Sequence, residues 1–330
     1  MVTKVGGMRT RRRSVLVLAG VFALPCLALA ERTFRIGILD PGNASNAERG
    51  QLWHVMLERL RELGVDEGRN LVVEYRWGGG DHARLAGLAR ELVAMEPDVI
   101  VAVTTPGARA AMAATRSVPI VFPTAGNPVG AGLVKSLARP GGNVTGQSII
   151  QTDTAAKRIE LLLELVPRAR RLGFIGPAQN ASVAAVFRAL KEAADAKELD
   201  LRQLDANDPA AIEREFNRFS SEPVDGLIAS AILVGHRRQL AELAGRHRLP
   251  AIYVYQEHLD AGGVMTFGPD IKSAYRRTAE YVHRILQGAR PADMPVEQVR
   301  FSIGVNLRAA RAIGLTVPQS LLLRADRVIE

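Results

Sequence analysis

The sequence predicts an α/β protein of two successive lobes, each a doubly wound parallel sheet with helices on both faces. Three observations carry this. Short β-branched runs alternate with amphipathic helical stretches from Phe34 to the C-terminus, the pattern that a parallel sheet and its crossover helices leave in a sequence. The alternation restarts after Thr152, giving two series of similar length. Of the 330 residues, 47% are hydrophobic, enough for two domain-sized cores.

The first series opens with the strand Phe34 to Leu39 (FRIGIL). Asn46 to Leu63 follows as a helix, because Leu52, Val55, Met56, Leu60 and Leu63 fall on one face. Leu71 to Tyr75 reads as strand, Leu85 to Ala94 as helix, Val99 to Val103 as strand, Ala108 to Thr115 as helix and Val118 to Phe122 as a fourth strand. A brief helix to Ala138 is expected next, after which Pro140-Gly141-Gly142 turns the chain into an extended segment at Gly146. In the second series Thr152 or Asp153 is placed to cap a helix to Val166, ended by Pro167. Strands are expected at Leu172 to Ile175, Leu199 to Leu204, Gly226 to Ala229 and Ala251 to Tyr255, with helices at Val183 to Lys197, Ala210 to Phe219 and Arg237 to Arg246. Past Gly262-Gly263 come a strand, Val264 to Phe267, a long amphipathic helix, Ile271 to Leu286, an extended stretch, Val296 to Val305, and a helical tail from Leu307.

The first 30 residues read as a leader. Lys4, Arg9 and Arg11 to Arg13 precede an uncharged apolar run, Val15 to Ala30, that closes on Ala28-Leu29-Ala30, the three parts of a secretory signal peptide cut after Ala30. The run is short for a membrane span. Arg12-Arg13-Ser14-Val15-Leu16 loosely fits a twin-arginine signal, but general secretion is favoured, and Pro25 before Cys26 argues against a lipid anchor. The leader holds five of the 43 basic residues against 34 acidic ones in the whole chain, so the mature excess is four rather than nine. With arginines spread among glutamates, this charge does not describe a nucleic-acid binder. Cys26 is the sole cysteine, so the mature chain has no disulfide and no thiol chemistry.

Catalytic patterns are thin. Thr124 to Gly132 (TAGNPVGAG) nearly spells a dinucleotide-binding turn, but it follows the fourth strand and has no acidic residue about 20 positions on. The partner pair Y-x-x-x-K is missing: Ala279 follows Tyr275 at that spacing and Ile285 follows Tyr281. There is no G-x-x-x-x-G-K-[ST], H-E-x-x-H or G-x-S-x-G, and the six histidines lack metal-ligand spacing. No cofactor and no metal site is expected. Asp225 before one strand and Glu257 beyond another are the only acid/base pair on offer, for a secreted enzyme acting on a small carboxylate.

What recurs is a small, polar loop at the C-terminal end of nearly every strand, where open α/β sheets bind ligands. These loops are Asp40 to Asn46, Thr104 to Ala108 and Thr124 to Gly132 in the first series, and Gly176 to Ser182, Ser230 to Ile232 and Tyr255 to His258 in the second. Several lead into helices whose free N–H groups suit a carboxylate, although Ser, Thr and Asn at such places also serve as caps.

The chain resembles the ABC transporter substrate-binding proteins of the tryptophan/tyrosine-binding type. The resemblance rests on LRELGVDEGRNLVVEYRW (Leu60 to Trp77), NPVGAGLVKSLARPGGNVTG (Asn127 to Gly146), HRLPAIY (His247 to Tyr253), AGGVMTFGPD (Ala261 to Asp270), YVHRILQGARPADMPVEQ (Tyr281 to Gln298) and VNLRAARAIGLTVPQSLLLRADRVIE (Val305 to Glu330). It implies the type 1 periplasmic-binding fold, two Rossmann-like lobes joined by three crossovers near Gly146 to Gln151, Asp260 to Gly263 and Arg300 to Ser302. The first lobe would comprise 31–148 with 262–299, the second 149–261 with 300–330. It further implies a monomeric periplasmic protein that closes on a small polar or carboxylate-bearing solute, an amino acid among the candidates, and delivers it to an ABC permease and ATPase; a module sensing ligand for a membrane sensor would share the fold. The solute would meet Ser45, Asn46, Thr104, Thr105, Gly126 and Asn127 on one side and Asn180, Ser230, Tyr255 and Glu257 on the other. For an amino acid, the first group would take the carboxylate and Glu257 or Asp40 the ammonium. The chain departs from the family pattern at Ile175-Gly176-Pro177, where members often carry Trp-Asn-Pro, and at Ser230-Ala231-Ile232, where a proline and an acidic residue are frequent. A tryptophan site is therefore not carried over.

Overall fold

The computed structural model describes residues 1–3, 32–150 and 152–330; the expected leader, 1–30, lies outside them from residue 4 onward. The chain divides into two compact units, Met1–Arg32 and Thr33–Glu330, and the second contains two α/β lobes, each built on its own sheet.

In the first lobe the chain runs β1 (Phe34–Asp40), α1 (Ala47–Glu62), β2 (Leu71–Trp77), α2 (Leu85–Ala94), β3 (Val99–Ala102), α3 (Thr104–Ala114), β4 (Ile120–Ala125) and β5 (Val144–Ser148). The second follows with α4 (Ala155–Leu165), β6 (Arg171–Gly176), α5 (Ala181–Asp195), β7 (Asp200–Asp205), α6 (Pro209–Arg218), β8 (Gly226–Ala229), α7 (Arg237–Arg246), β9 (Ala251–Tyr253), α8 (Glu257–Asp260) and β10 (Met265–Pro269). The chain returns to the first lobe for α9 (Ile271–Leu286) and β11 (Glu297–Gln298), then ends in the second with β12 (Phe301–Asn306), α10 (Leu307–Ala312), α11 (Gln319–Leu322) and β13 (Arg327–Ile329). The sheet orders are β11-β5-β4-β3-β1-β2 and β13-β12-β10-β9-β8-β6-β7.

Both sheets are covered on both faces, which is why their central strands are near-continuous apolar runs. Ile36, Ile38, Val99 and Val101 pack under α1 and α9, whereas Leu39, Ile100 and Ala102 meet α2 and α3. In the second sheet Phe174, Ile228 and Ile252 face α4 and α5, and Ile175, Leu227 and Tyr253 face α6 and α7. Each fully buried Leu, Ile or Phe contributes roughly 1.5–3 kcal/mol.

The structure differs from the sequence reading at identifiable places. No helix forms before Ala138: the N–H groups of Ala131, Gly132 and Leu133 bond to Asn127, Val129 and Pro128 as successive turns, and the glycines make a continuous helix costly. Helix α3 starts at Thr104 rather than Ala108, since Pro106 sits in the first turn, where its missing N–H is not needed. Thr152 and Asp153 lie in a short 3₁₀ turn, and neither is the residue that opens α4. Strand β10 belongs to the second sheet, parallel to β9 and antiparallel to β12, so the second crossover is at Asp270 and not near Asp260 to Gly263. The antiparallel β12 and the final strand β13 are further differences from an all-parallel pair of sheets ending in a helix.

The three crossover segments lie side by side. Val299 N–H donates to Ser148 O at 2.9 Å, Ser148 Oγ donates to Gln298 Oε1 at 2.9 Å, and Asp270 N–H donates to Arg300 O at 2.8 Å. Two glycines permit close backbone approach beside them. A Cβ on Gly146, whose φ is +149°, would fall 2.1 Å from Phe122 O, and one on Gly268 would fall 1.8 Å from Val254 O.

Candidate functional site

The C-terminal ends of β1, β3 and β4 form one polar wall and those of β6, β8 and β9 form the other. They face each other: Arg237, at the start of α7, places Nη2 3.2 Å from Glu48 Oε1 in the first turn of α1.

On the first wall the central feature is Asp40, fully buried at the end of β1. Its carboxylate accepts from Gly42 N–H at 2.8 Å and from Trp53 Nε1–H at 3.2 Å, and Arg49 Nη1 lies 3.5 Å from Oδ2. The same Arg49 nitrogen reaches Tyr275 OH at 3.5 Å, and the Tyr275 ring meets Trp53 edge-on at 5.0 Å. Asp40 is thus occupied by three donors from its own lobe, and the expectation that it takes a solute ammonium fails: a carboxylate sealed from solvent and already compensated has no open side.

Asn46 caps α1, its side chain accepting from Arg49 N–H at 3.0 Å, and Ser45 is exposed just before it. Thr104 is held at φ +64° and Thr105 Oγ1 donates to Gly126 O at 3.4 Å, which joins the β3 and β4 loops. Asn127, at φ +43°, folds its side chain back so that Oδ1 accepts from Gly130 N–H at 2.9 Å. A Cβ on Gly130 would sit 2.5 Å from Asn127 Nδ2, so this glycine makes room for the asparagine. With the N–H groups of residues 130–133 all donating within the loop, Thr124 to Gly132 does not offer those groups to a carboxylate, contrary to the anion cradle its glycines suggest.

On the second wall Asn180 caps α5, accepting from Ser182 and Val183 N–H groups at 3.0 and 3.3 Å. Ser230 is buried at the end of β8, and a Cβ on Gly176 would fall 2.7 Å from Ser230 Cβ. Gly176 therefore makes room for Ser230. Tyr255 and Glu257 are half-buried beyond β9. Burial raises the Tyr255 pKa and Glu257 adds to the rise, while the charges of Arg158, in α4, and Arg49, across the cleft, oppose it. Arg158 is 1% exposed, and burial lowers its pKa to about 10, leaving it cationic at neutral pH. Two guanidiniums, one per lobe, thus act on the same phenol.

Below Tyr255, His258 is fully buried, its Nδ1 3.0 Å from Tyr255 O and its ring stacked on Tyr253 at 4.7 Å. Burial lowers its pKa to about 4, assisted by Arg237. Asp225 and Glu257 do not form an acid/base pair. Asp225 precedes β8 and accepts from Arg170 and Arg171 N–H groups at 2.8 Å, whereas Glu257 follows the parallel neighbour β9, at the opposite end of the sheet. Among the described residues, no group of three or more His, Cys, Asp or Glu is placed to hold a metal ion, and no helix is long and apolar enough to cross a membrane.

Sequence reasoning missed Arg49, Arg158, Arg237 and Glu48. Glu48 and Arg49 stand two and three residues after the cap Asn46, in the first turn of α1, so the loop-to-helix junction was the available signal. Arg158 gave none beyond a charge on the apolar side of its helix.

A family model described as ABC transporter substrate binding protein matches residues 49–329. The chain is 26% identical over 247 residues to a tyrosine-binding protein of Clostridioides difficile, covering 73% of this chain and 69% of that one. A conserved domain protein of Vibrio cholerae superimposes with a TM-score of 0.76 at 27% identity, covering 90% of this chain and 100% of the other. The ABC domain of Streptococcus pneumonia in complex with L-Trp does so at 0.75 and 24% identity, covering 90% and 100%.

Proposed function

This chain belongs to the family of ABC transporter substrate-binding proteins, and we propose that it holds a small carboxylate-bearing solute between its lobes and delivers it to an ABC permease and its ATPase in the inner membrane. The observation that carries the reading is the opposition of two polar strand-end walls across adjacent crossovers. Aromatic amino acids are the first candidates, because the C. difficile relative is named for tyrosine. The carboxylate falls to the positive field of Arg49 and Arg158 around Tyr255, and the ammonium to Glu257, with Asp40 already committed. Ser45, Asn46, Thr104, Thr105, Gly126, Asn127, Asn180 and Ser230 line the approaches; for Asn46, Asn127 and Asn180 only the side-chain NH₂ is left to donate, since each oxygen accepts a backbone N–H.

The protein binds without turnover, acts as a monomer, and works in the periplasm after removal of residues 1–30. Ligand stabilises the closed form in proportion to its preference for it, and the crossover ladder around Ser148, Asp270 and Val299 absorbs the rotation. The test is mass spectrometry of small molecules released from the purified protein, followed by thermal-shift measurement with L-tyrosine, L-tryptophan and a panel of other carboxylates. A solute at 100 times its Kd adds about 2.7 kcal/mol of apparent stability. A broad panel that leaves the melting temperature unchanged overturns the reading.

A further inference from the structure

Glu48 and Arg237 stand on helices that belong to different lobes and begin at opposing strand ends. Glu48 lies in the first turn of α1, and Arg237 is the first residue of α7. Their side chains meet at 3.2 Å, with 62% and 31% of their side-chain surfaces exposed, and Arg237 Nη1 also donates to Val234 O at 3.3 Å. The two positions are not equivalent in their own helices. Glu48 is favoured in the first turn of α1 by the helix dipole, whereas Arg237 stands where a 3₁₀ turn runs straight into α7. Arg237 also closes the 3₁₀ turn Ala231–His236, where its backbone N–H and its Nη1 both donate to Val234 O, so its charge is held by that carbonyl within its own lobe and by Glu48 across the cleft.

We propose that Arg237 and Glu48 form a charge latch at the mouth of the cleft, which biases the unliganded protein toward its closed arrangement without touching solute. Opening the lobes separates the pair and leaves Arg237 with Val234 O alone. Neither partner is in the solute-contact set. An exposed pair of this kind changes a two-state ratio modestly, up to about fivefold, which suits a latch that must release when solute leaves. The pair stands outside buried protein, so its effect declines as salt screens it over the Debye length.

The experiment measures the distribution of distances between spin labels at Arg90→Cys on α2 and Arg214→Cys on α6, in the chain from Glu31 onward, which has no cysteine of its own, with no solute present. Arg237→Glu and Glu48→Arg should each lower the closed:open ratio by about fivefold, since each places like charges together. The double exchange Arg237→Glu/Glu48→Arg should restore it. Arg237→Gln, which removes charge without repulsion, should give a smaller fall. Raising salt from about 20 to about 500 mM should open the unsubstituted protein and partly close the single reversals. Distance distributions that ignore the single reversals, a double exchange that behaves as the sum of the singles, or a ratio insensitive to salt would each overturn the latch. Because no ligand is present, these results are independent of whether the solute is an amino acid.

Discussion

Lowering the pH from about 7.5 to about 5 should destabilise the protein through one side chain, His258. The ring is fully buried, donates from Nδ1 to Tyr255 O at 3.0 Å and stacks on Tyr253. Burial, reinforced by Arg237, lowers its pKa to about 4 from an ordinary 6.5, so the native state keeps it neutral while the unfolded chain takes up a proton as pH falls. The unfolded state binds more protons throughout this window, and stability therefore falls with falling pH. The full contribution is present above about 6.5 and is lost progressively down to about 4. At pH 5 the linkage amounts to about 2 kcal/mol, and at pH 4 to about 3 kcal/mol. Carboxylates confuse the measurement little above pH 5: Glu297, held low by its hydrogen bond from Arg277, and Glu62, held low by Arg276, lose their contributions only as pH drops through and below the ordinary carboxylate range. The assay is urea unfolding followed by circular dichroism, compared with His258→Asn, whose amide can still donate to Tyr255 O but does not ionise. The variant will be less stable at pH 7.5, having lost the ring stack, but should lose about 2 kcal/mol less than the unsubstituted protein between pH 7.5 and 5. Parallel losses, within about 0.5 kcal/mol, would refute the assignment of that pH dependence to His258.

Three further outcomes are expected. Gly268→Ala should cost about 3 kcal/mol in urea unfolding, because its Cβ would fall 1.8 Å from Val254 O, a backbone atom that cannot swing away; a cost below about 0.5 kcal/mol would show that β10 does not pass there. Asp40→Asn should cost about 2–3 kcal/mol, since an amide replaces one acceptor with a donor among Gly42 N–H, Trp53 Nε1–H and Arg49; near-wild-type stability would mean that the buried carboxylate is not what those donors require. Glu257→Gln should weaken L-tyrosine binding at least about tenfold in calorimetry while leaving the solute-free melting temperature in place, and unchanged affinity would remove Glu257 from the ammonium site.

Much of the fold was legible because its elements are local and periodic. Leu85–Ala94, Gly226–Ala229, Arg237–Arg246 and Ile271–Leu286 match the ranges read from the sequence to the residue. Each presents either one apolar face at helical spacing or a run of small and branched residues flanked by turns. Errors gathered where glycine and proline carry more than one meaning. Thr124 to Gly132 has the composition of a phosphate-binding turn, but Asn127 at φ +43° and its bond from Gly130 N–H turn the loop inward. Thr104 to Ala108, read as a strand-end loop, forms the first turn of α3 with Pro106 inside it.

The strand-end loops were legible in the sequence and the charges between them were not. Strand-end position places Ser45, Thr105, Gly126, Ser230 and Tyr255 on their respective walls, because in a parallel sheet every strand's C-terminal end lies on one edge. Which polar groups remain available there depends on partners distant in the chain. Asp40 is neutralised by Arg49 and Trp53 of the following helix, and Tyr255 feels Arg158 and Arg49 from opposite lobes. The alternation of apolar periods was enough to establish two α/β series and their strand-end loops, since a residue's helical or extended spacing is a property of its neighbours. Tertiary structure alone assigned β10 to the second sheet and brought Glu48 to Arg237. Strand pairing and ion pairing join segments that are far apart in the chain, and the sequence period of neither segment encodes which partner it will meet.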